Sequence, residues 1–247
     1  MAKKKDEETK ALATTGSAAM AVADGVDTKD TRGKEGITTE DVTLPRVSVC
    51  QNNSPEKDED DAKYIPELGE GDVFNTLTQQ IYGDKEVKLR FVVVRPLKRA
   101  MEFDGDRKVV DYNVPWDDPR CEFTTDNGQR VKPVATRFYD YVVYLPDFGE
   151  VAMLSFSNTK MKAAKKLNSL IALRPGPSWA GTYTLSIVKE ENDKGKFFNF
   201  VVNPAGKTDA ETLTEADRYY EQFKTATIKT DVDASDAPGE GGDKVPF

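Results

Sequence analysis

The sequence predicts a mainly β protein with one or two helices, in which five strands build a small barrel. Short segments that alternate apolar and polar residues recur along residues 85–204. One amphipathic segment with helical spacing lies between the third and the fourth of them. Both ends of the 247-residue chain lack a sustained apolar face. About 190 residues remain between the ends, which is enough for one core with an extension.

The two ends are predicted to be disordered. Residues 1–36 mix charged residues with Ala, Thr and Gly, and residues 227–247 are rich in Asp, Glu and Gly. The start, MAKKKDEE, lacks the apolar run of a signal peptide, and no stretch approaches the ~18 apolar residues of a membrane span. With only Cys50 and Cys121, a disulfide framework is not expected. We therefore expect a cytosolic protein without a membrane partner.

Residues 37–84 are predicted to form a β-rich extension that packs on the body. The segment LPRVSVCQNNSPE (44–56) alternates apolar and polar residues and closes in a polar turn. A further strand is predicted at VFNTLT, followed by a turn at residues 82–84. Whether this extension joins the barrel or mediates self-association into a homo-oligomer stays open.

The body, residues 85–204, begins with the strand VKLRFVVVR, whose apolar residues alternate with Lys88 and Arg90. This alternation indicates a half-buried strand with a basic outer face. Residues 96–136 are predicted to form a long polar loop with hairpins at 104–106 and 126–128.

The rest of the body supplies four strands and a helix. The strands RFYDYVVYL and EVAMLSF precede the helix SNTKMKAAKKLNSLIAL, and GTYTLSIVKE and KFFNFVV follow it. A second amphipathic helix is predicted within residues 205–226. Five strands with a helix between the third and the fourth is the order of the OB-fold, a barrel that commonly binds oligonucleotides or oligosaccharides. We therefore expect an OB-fold-like five-stranded barrel.

The net charge of −8 is unevenly distributed. Residues 85–202 contain 20 Lys and Arg against 15 Asp and Glu, whereas the rest of the chain contains 15 against 28. A mildly basic body is therefore flanked by acidic ends, which favours a nucleic-acid partner for the body.

The composition argues against catalysis. The chain has no histidine, no GxxxxGK[ST] loop and no CxxC pair. Asp104, Asp106 and Asp111, or the pair Asp117-Asp118, are candidate Mg²⁺ ligands of a nuclease, but Asp beside Gly, Asn or Pro is also ordinary turn chemistry. We predict that the protein is not an enzyme and uses no cofactor or metal, with a metal-dependent nuclease as an alternative.

Single-stranded nucleic acid is held by cations along the phosphates and by rings that stack on bases. Basic and aromatic residues of the outward strand faces and the long loop are the predicted DNA-binding residues. They are Lys88, Arg90, Arg95, Lys98, Arg99, Arg107, Trp116, Arg137, Phe138, Tyr144 and Phe197. Asp140 predicts that its side of the strand 137–145 faces water, which would expose Phe138 and Tyr144.

The lysines of the first helix form a separate cluster. They are Lys160, Lys162, Lys165 and Lys166. We interpret them as a solvated outer face, with direct phosphate contact as the alternative.

The segment GGDKVPF resembles the C-terminal tip of bacterial single-stranded DNA-binding proteins, an acidic stretch that ends in Ile-Pro-Phe. The resemblance implies that Asp243, Val245, Pro246 and Phe247 bind replication or recombination proteins. Lys244 departs from that pattern. The acidic tail is also expected to compete weakly with DNA for the basic body.

The segments LPRVSVCQNNSPE and YIPELGEGDVFNTLTQQIYG are similar to bacteriophage proteins often taken to be single-stranded DNA-binding proteins. This resemblance implies a non-catalytic protein that coats and protects single strands during phage DNA replication or recombination. It would act with little sequence specificity in the cytoplasm of the infected bacterial host. The alternative is a non-catalytic virion or assembly protein.

Overall fold

The computed structural model describes residues 32–38, 41–106, 108–192 and 195–230. The strands of these ranges are β1 Thr43–Leu44, β2 Val47–Val49, β3 Val73–Asn75, β4 Ile81–Gly83, β5 Lys88–Phe103, β6 Val109–Val114, β7 Thr124–Asp126, β8 Gln129–Val131, β9 Ala135–Leu145, β10 Glu150–Phe156, β11 Gly181–Asn192, β12 Gly195–Lys207 and β13 Lys229–Thr230. The helices are α1 Met161–Ala172 and α2 Ala210–Phe223. The predicted mainly β class with helices is confirmed. Most of the two segments predicted to be disordered lies outside the described residues.

The main sheet is antiparallel, in the order β10-β9-β5-β11-β12, with β6 also paired to β5. Strand β5 is 16 residues long, which is enough for it to pair with three other strands. Its first residues, from Lys88 to Val92, pair with β11, and its residues from Val92 onward pair with β9. The segment predicted as the loop 96–136 therefore consists in large part of strands, namely the end of β5, all of β6 and the hairpin β7–β8.

Both hairpins predicted within that segment are present. Asp104 accepts hydrogen bonds from the backbone N–H groups of Asp106 and Lys108 in the β5–β6 turn, at 3.0 and 2.8 Å. The β7–β8 turn places Asn127 and Gly128 at φ of 49° and 79°. Asn and Gly tolerate this left-handed region better than other residues, which is why an Asn-Gly pair marks a tight hairpin.

The main sheet curls, so its two edge strands approach each other. The ring centroids of Phe156 in β10 and Phe200 in β12 are 5.8 Å apart. In the described ranges, however, no backbone ladder joins β10 to β12. The predicted closed five-stranded barrel is therefore not confirmed.

The segment from Pro45 to Gln51 contacts both edges of the curled sheet. The backbone N–H of Met153 in β10 donates to the Pro45 carbonyl at 2.7 Å. The side-chain amide of Gln51 accepts from the N–H of Phe198 in β12 at 2.8 Å and donates to its carbonyl at 2.9 Å. Edge strands otherwise leave such backbone groups unpaired. The chain thus blocks both edges with its own N-terminal segment.

Two hydrophobic layers cover the two faces of the main sheet. Helix α1 and the small sheet β2-β3-β4 pack on one face, where Phe91, Tyr141 and Leu167 are buried. Helix α2 and strand β1 pack on the other face, over Val92 and Val142. Because the two layers cover opposite faces of β9, both of its faces are buried along most of its length. Helix α2 therefore covers the face of β9 that the alternation of apolar and polar residues assigned to solvent.

The burial of β9 contradicts the prediction that the side of this strand with Asp140 faces water. Asp140 is fully buried and forms an ion pair with Arg99 of β5. Phe138 on the same face is 0% exposed and Tyr144 is 9% exposed. The prediction that this side of the strand faces water is wrong, because Asp140 is neutralised by a neighbouring strand and Tyr144 packs on Tyr219 of α2.

A buried polar cluster joins the small sheet to the main sheet. The Asn75 side-chain amide donates to the Tyr82 hydroxyl at 2.9 Å. The buried Glu150 carboxyl, at the start of β10, lies beside both side chains. Burial raises the pKa of this carboxyl above its ordinary value of 4.5, while the two polar neighbours oppose the shift.

The raised pKa of Glu150 predicts a pH-dependent stability. Below its unfolded-state pKa the protonated carboxyl carries no penalty, and its contribution is lost as pH rises through the higher folded-state pKa. We expect Glu150→Gln to be less sensitive than wild type to a rise from about pH 5 to pH 8 in urea unfolding. Glu86→Gln, at an exposed carboxylate before β5, is the matched control. Identical pH profiles for the two variants would contradict this assignment.

Candidate nucleic-acid interface

The predicted DNA-binding residues separate into two surface groups and an interior set. The first surface group, here called the aromatic group, consists of Lys98, Trp116 and Arg137 together with Tyr139, which was not predicted. The second, here called the sheet-face group, consists of Lys88, Arg90 and Phe197. The interior set is Arg95, Arg99, Phe138 and Tyr144. Arg107 and the tail residues Asp243, Val245, Pro246 and Phe247 lie outside the described residues.

The aromatic group brings two rings and two cations together near the start of β9. The centroids of Trp116 and Tyr139 are 4.9 Å apart with an interplanar angle of 51°. The Lys98 ammonium lies 5.4 Å from the Trp116 centroid and 5.8 Å from the Tyr139 centroid. The Arg137 guanidinium lies 5.8 Å from the Trp116 centroid. Trp116 and Tyr139 are both half-buried, so part of each ring remains accessible.

Backbone and ionic contacts position Trp116 although it lies outside any strand. The Arg137 Nε–H donates to the Trp116 carbonyl at 2.8 Å, and the same guanidinium forms an ion pair with Glu122. The side chain of Asp118 caps the short helical turn that follows by accepting from the Arg120 N–H at 2.8 Å. The loop is therefore tied to β9 through the cation that belongs to the aromatic group.

Arg120 fixes the other side of this loop. Its guanidinium contacts the carboxylates of Asp118, Glu102 and Asp111, which raises the pKa of the Arg120 side chain. Asp111 and Asp118, both considered as metal ligands from the sequence, are thus engaged by a cation.

The sheet-face group lies on the outer face of β5, β11 and β12. Residues opposite each other in an antiparallel ladder share one face. Lys88 and Arg90 of β5 therefore stand in two rows that cross β11 and reach β12. The rows are Lys88–Ser186–Val201 and Arg90–Thr184–Asn203.

Phe197 belongs to the same face, because it alternates with Val201 and Asn203 along β12 and lies opposite Glu190. Lys88 and Arg90 are exposed, and Phe197 is half-buried. Arg90 donates two hydrogen bonds from its Nε–H to Asp147, at 2.9 and 3.0 Å, which raises the pKa of its guanidinium. Three predicted residues thus lie on the sheet face of Val92, in a part that α2 leaves accessible, but a carboxylate already pairs with one of them.

The interior set supports the fold. The Arg95 guanidinium donates to the carbonyls of Phe223 and Ala226 at the end of α2, the latter at 2.9 Å. Helix C-termini carry unsatisfied carbonyls and a partial negative charge, so this arginine anchors the helix to the sheet. Arg99 pairs with the buried Asp140. Phe138 and Tyr144 are buried, which removes both from stacking on a base.

Reactive chemistry is sparse in the part of the chain that the structure describes. Both cysteines are buried and free, and burial raises the pKa of the Cys50 thiol to about 11. No group of three or more Asp, Glu, Cys or His side chains is arranged there to hold a metal ion. Over the same ranges, neither helix is long and apolar enough to cross a membrane.

The comparison with protein families shows the family of the chain. A family model described as Pam3 phage gp34-like protein matches residues 13–229. The chain belongs to the Pam3 phage gp34-like family. Searches among curated proteins and among solved structures gave no match. The family description names a phage protein and no activity, so the predicted phage origin is supported at the level of the family.

The interior set yields a test that uses two arginines of the same strand. Arg99→Leu leaves the buried Asp140 without its cation, and we expect a loss of ~3–5 kcal/mol in the free energy of unfolding. Arg90→Leu breaks an exposed pair with Asp147 and should cost at most about 1 kcal/mol. Urea unfolding measures both. Equal effects of the two substitutions would contradict the assignment of Arg99 to the interior.

Proposed function

We propose that this phage protein binds single-stranded DNA without catalysis, coating and protecting single strands during replication or recombination. The observation that carries the proposal is the aromatic group, in which half-buried rings and two cations share one surface. Every base has a π-face, so binding through stacking has little sequence preference.

The rings of the aromatic group suit the bases of a nucleic acid, and its cations suit the phosphates. Trp116 and Tyr139 are suited to stack on bases, and one such contact contributes ~1–3 kcal/mol. Lys98 and Arg137 are suited to bind the flanking phosphates. Glu122 occupies the Arg137 guanidinium in the free protein, so a phosphate would have to displace that carboxylate.

The strand order supports the proposal at the level of fold. The order β10-β9-β5-β11-β12, with α1 between β10 and β11, is the one expected of the predicted OB-type sheet if its two edge strands do not pair. Folds of this kind commonly bind oligonucleotides. In this chain the segment from Pro45 to Gln51 takes the position at which the two edge strands would otherwise pair.

The remaining parts of the proposal rest on the sequence. The tail residues Asp243, Val245, Pro246 and Phe247 would recruit replication or recombination proteins. The site of action would be the cytoplasm of the infected bacterium, and a homo-oligomer remains compatible with this function.

A fluorescence titration tests the proposal directly. The chain has two tryptophans, and Trp179 packs on Tyr220 at 4.7 Å between ring centroids, apart from the aromatic group. In the Trp179→Phe variant, the remaining emission comes from Trp116. We expect oligothymidine to quench it, with an affinity that falls by ~0.7 log units per phosphate contact for each log unit of salt. Absence of binding at low salt, or equal affinity for duplex, would contradict the proposal.

Substitution of the ring tests the stacking contact. Trp116→Ala should weaken binding of oligothymidine by about 5- to 150-fold, as expected for one lost stack of ~1–3 kcal/mol. Tyr112→Ala removes an aromatic side chain that is 56% exposed on β6 and serves as the control. If both variants bind like wild type, the aromatic group is not the base-binding surface.

Removal of residues 231–247 tests the role of the tail. That segment contains five acidic residues and one lysine. We expect its removal to leave the affinity for oligothymidine unchanged or to increase it at low salt, because a competing anion is lost. A loss of DNA affinity would show that the tail has been given the wrong role.

A second candidate, a virion or assembly protein, is favoured by the outer edge of β6. In the described ranges β6 pairs on one side with β5, and its Val110 and Tyr112 are 58% and 56% exposed. An open strand edge with apolar side chains is a template for another chain. Recovery of the protein in purified particles, together with no affinity for single strands, would favour this candidate.

A further inference from the structure

We propose that the lysines of α1 bind the phosphates of a DNA segment that runs from the aromatic group to the sheet-face group. This inference rests on the proposed function and extends it. The aromatic group and the sheet-face group would then bind the two ends of one DNA segment. It replaces the interpretation of the α1 lysines as a merely solvated face.

The segment that contains α1 carries basic residues and no acidic ones. Residues 151–189 contain five lysines and one arginine but no Asp or Glu. Lys162 lies three and four positions before Lys165 and Lys166, and all three side chains are exposed on α1. Like charges at these spacings repel each other by ~0.2–0.5 kcal/mol per pair. Surface helices usually relieve such repulsion with interspersed carboxylates, which α1 does not have, so an external anion would relieve it.

The start of α1 adjoins the aromatic group. Tyr139 lies opposite Phe156 in the β9–β10 ladder. The ring of Phe156 contacts Phe200, and the Lys160 ammonium lies 4.6 Å from the Phe200 centroid. Lys160, immediately before α1, is therefore linked to Tyr139 through Phe156 and Phe200, whose rings are buried beneath this surface.

The second half of α1 adjoins the sheet-face group. The Lys166 ammonium donates to the Asn203 side-chain carbonyl at 2.8 Å. Asn203 lies opposite Thr184, which lies opposite Arg90. Lys166 is thus an extension of the row that contains Arg90, and the helix between its two ends spans ~18 Å.

The residues of α1 identify the part of the nucleotide that it would contact. Its exposed residues are Lys162, Lys165, Lys166, Ser169 and Ala172. They offer cations and a hydroxyl but no aromatic ring, so they suit phosphates and not bases. Bases would be held at the aromatic group, and the backbone would cross the helix.

The test compares two lengths of oligothymidine. The variant Lys162→Gln/Lys165→Gln/Lys166→Gln loses three cations on one helix. The control Lys34→Gln/Lys63→Gln/Lys108→Gln loses three exposed cations that lie in loops and turns. For an oligothymidine longer than about 16 nucleotides, we expect the salt slope of the α1 variant to fall by about 2 relative to wild type. For one of about four nucleotides, which fills the aromatic group alone, its affinity should match that of wild type.

The outcomes separate the inference from the proposed function. If the α1 variant keeps the wild-type slope on the long oligonucleotide while Trp116→Ala loses affinity, the path across α1 is refuted and the proposed function stands. If wild type binds neither length, both fail. If polyglutamate binds wild type and not the α1 variant, while the affinity for oligothymidine is the same in both, the lysines recognise an acidic polypeptide and the inference is overturned.

Discussion

The structure depends on strand β5, because among the described residues it pairs with three strands, β11, β9 and β6. A single extra residue in this strand decides where its basic side chains lie. The β9 register passes from Val93 to Arg95, so Val94 is a bulge. Before the bulge Lys88 and Arg90 share the face of Val92, and after it Arg95 and Arg99 share that face.

This shift explains why the predicted cationic surface is divided. A one-residue change of register moves every later side chain to the opposite face of a sheet. Lys98 therefore lies on the face of Tyr139, away from Lys88. The strand thus carries two cationic surfaces at its two ends, and α1 contacts Asn203 in the row that contains Arg90.

Local patterns in the sequence predicted most of the individual elements. The strands around β9 to β12, the helix α1 and both hairpins follow from alternation, helical spacing and turn residues. The continuation of β5 through Pro96 was missed, because proline is rare within paired strands and the following residues are polar.

Long-range packing could not be predicted in the same way. Asp140 was assigned to solvent because the sequence does not show that Arg99 of another strand pairs with it. Tyr139 was passed over because the alternation of β9 assigned it to the core, whereas it is half-buried near the start of the strand. Trp116 and Arg137 were identified from residue type, but only the fold brings them next to Lys98 and Tyr139.

The central claim is that single-stranded DNA lies on the aromatic group. Photocrosslinking with an oligonucleotide that carries 5-bromodeoxyuridine, followed by mass spectrometry of the peptides, tests it most directly. We expect crosslinks at Trp116 or Tyr139, whose ring centroids are 4.9 Å apart. Crosslinks confined to β6 or to the β7–β8 hairpin, with none at these two rings, would contradict it.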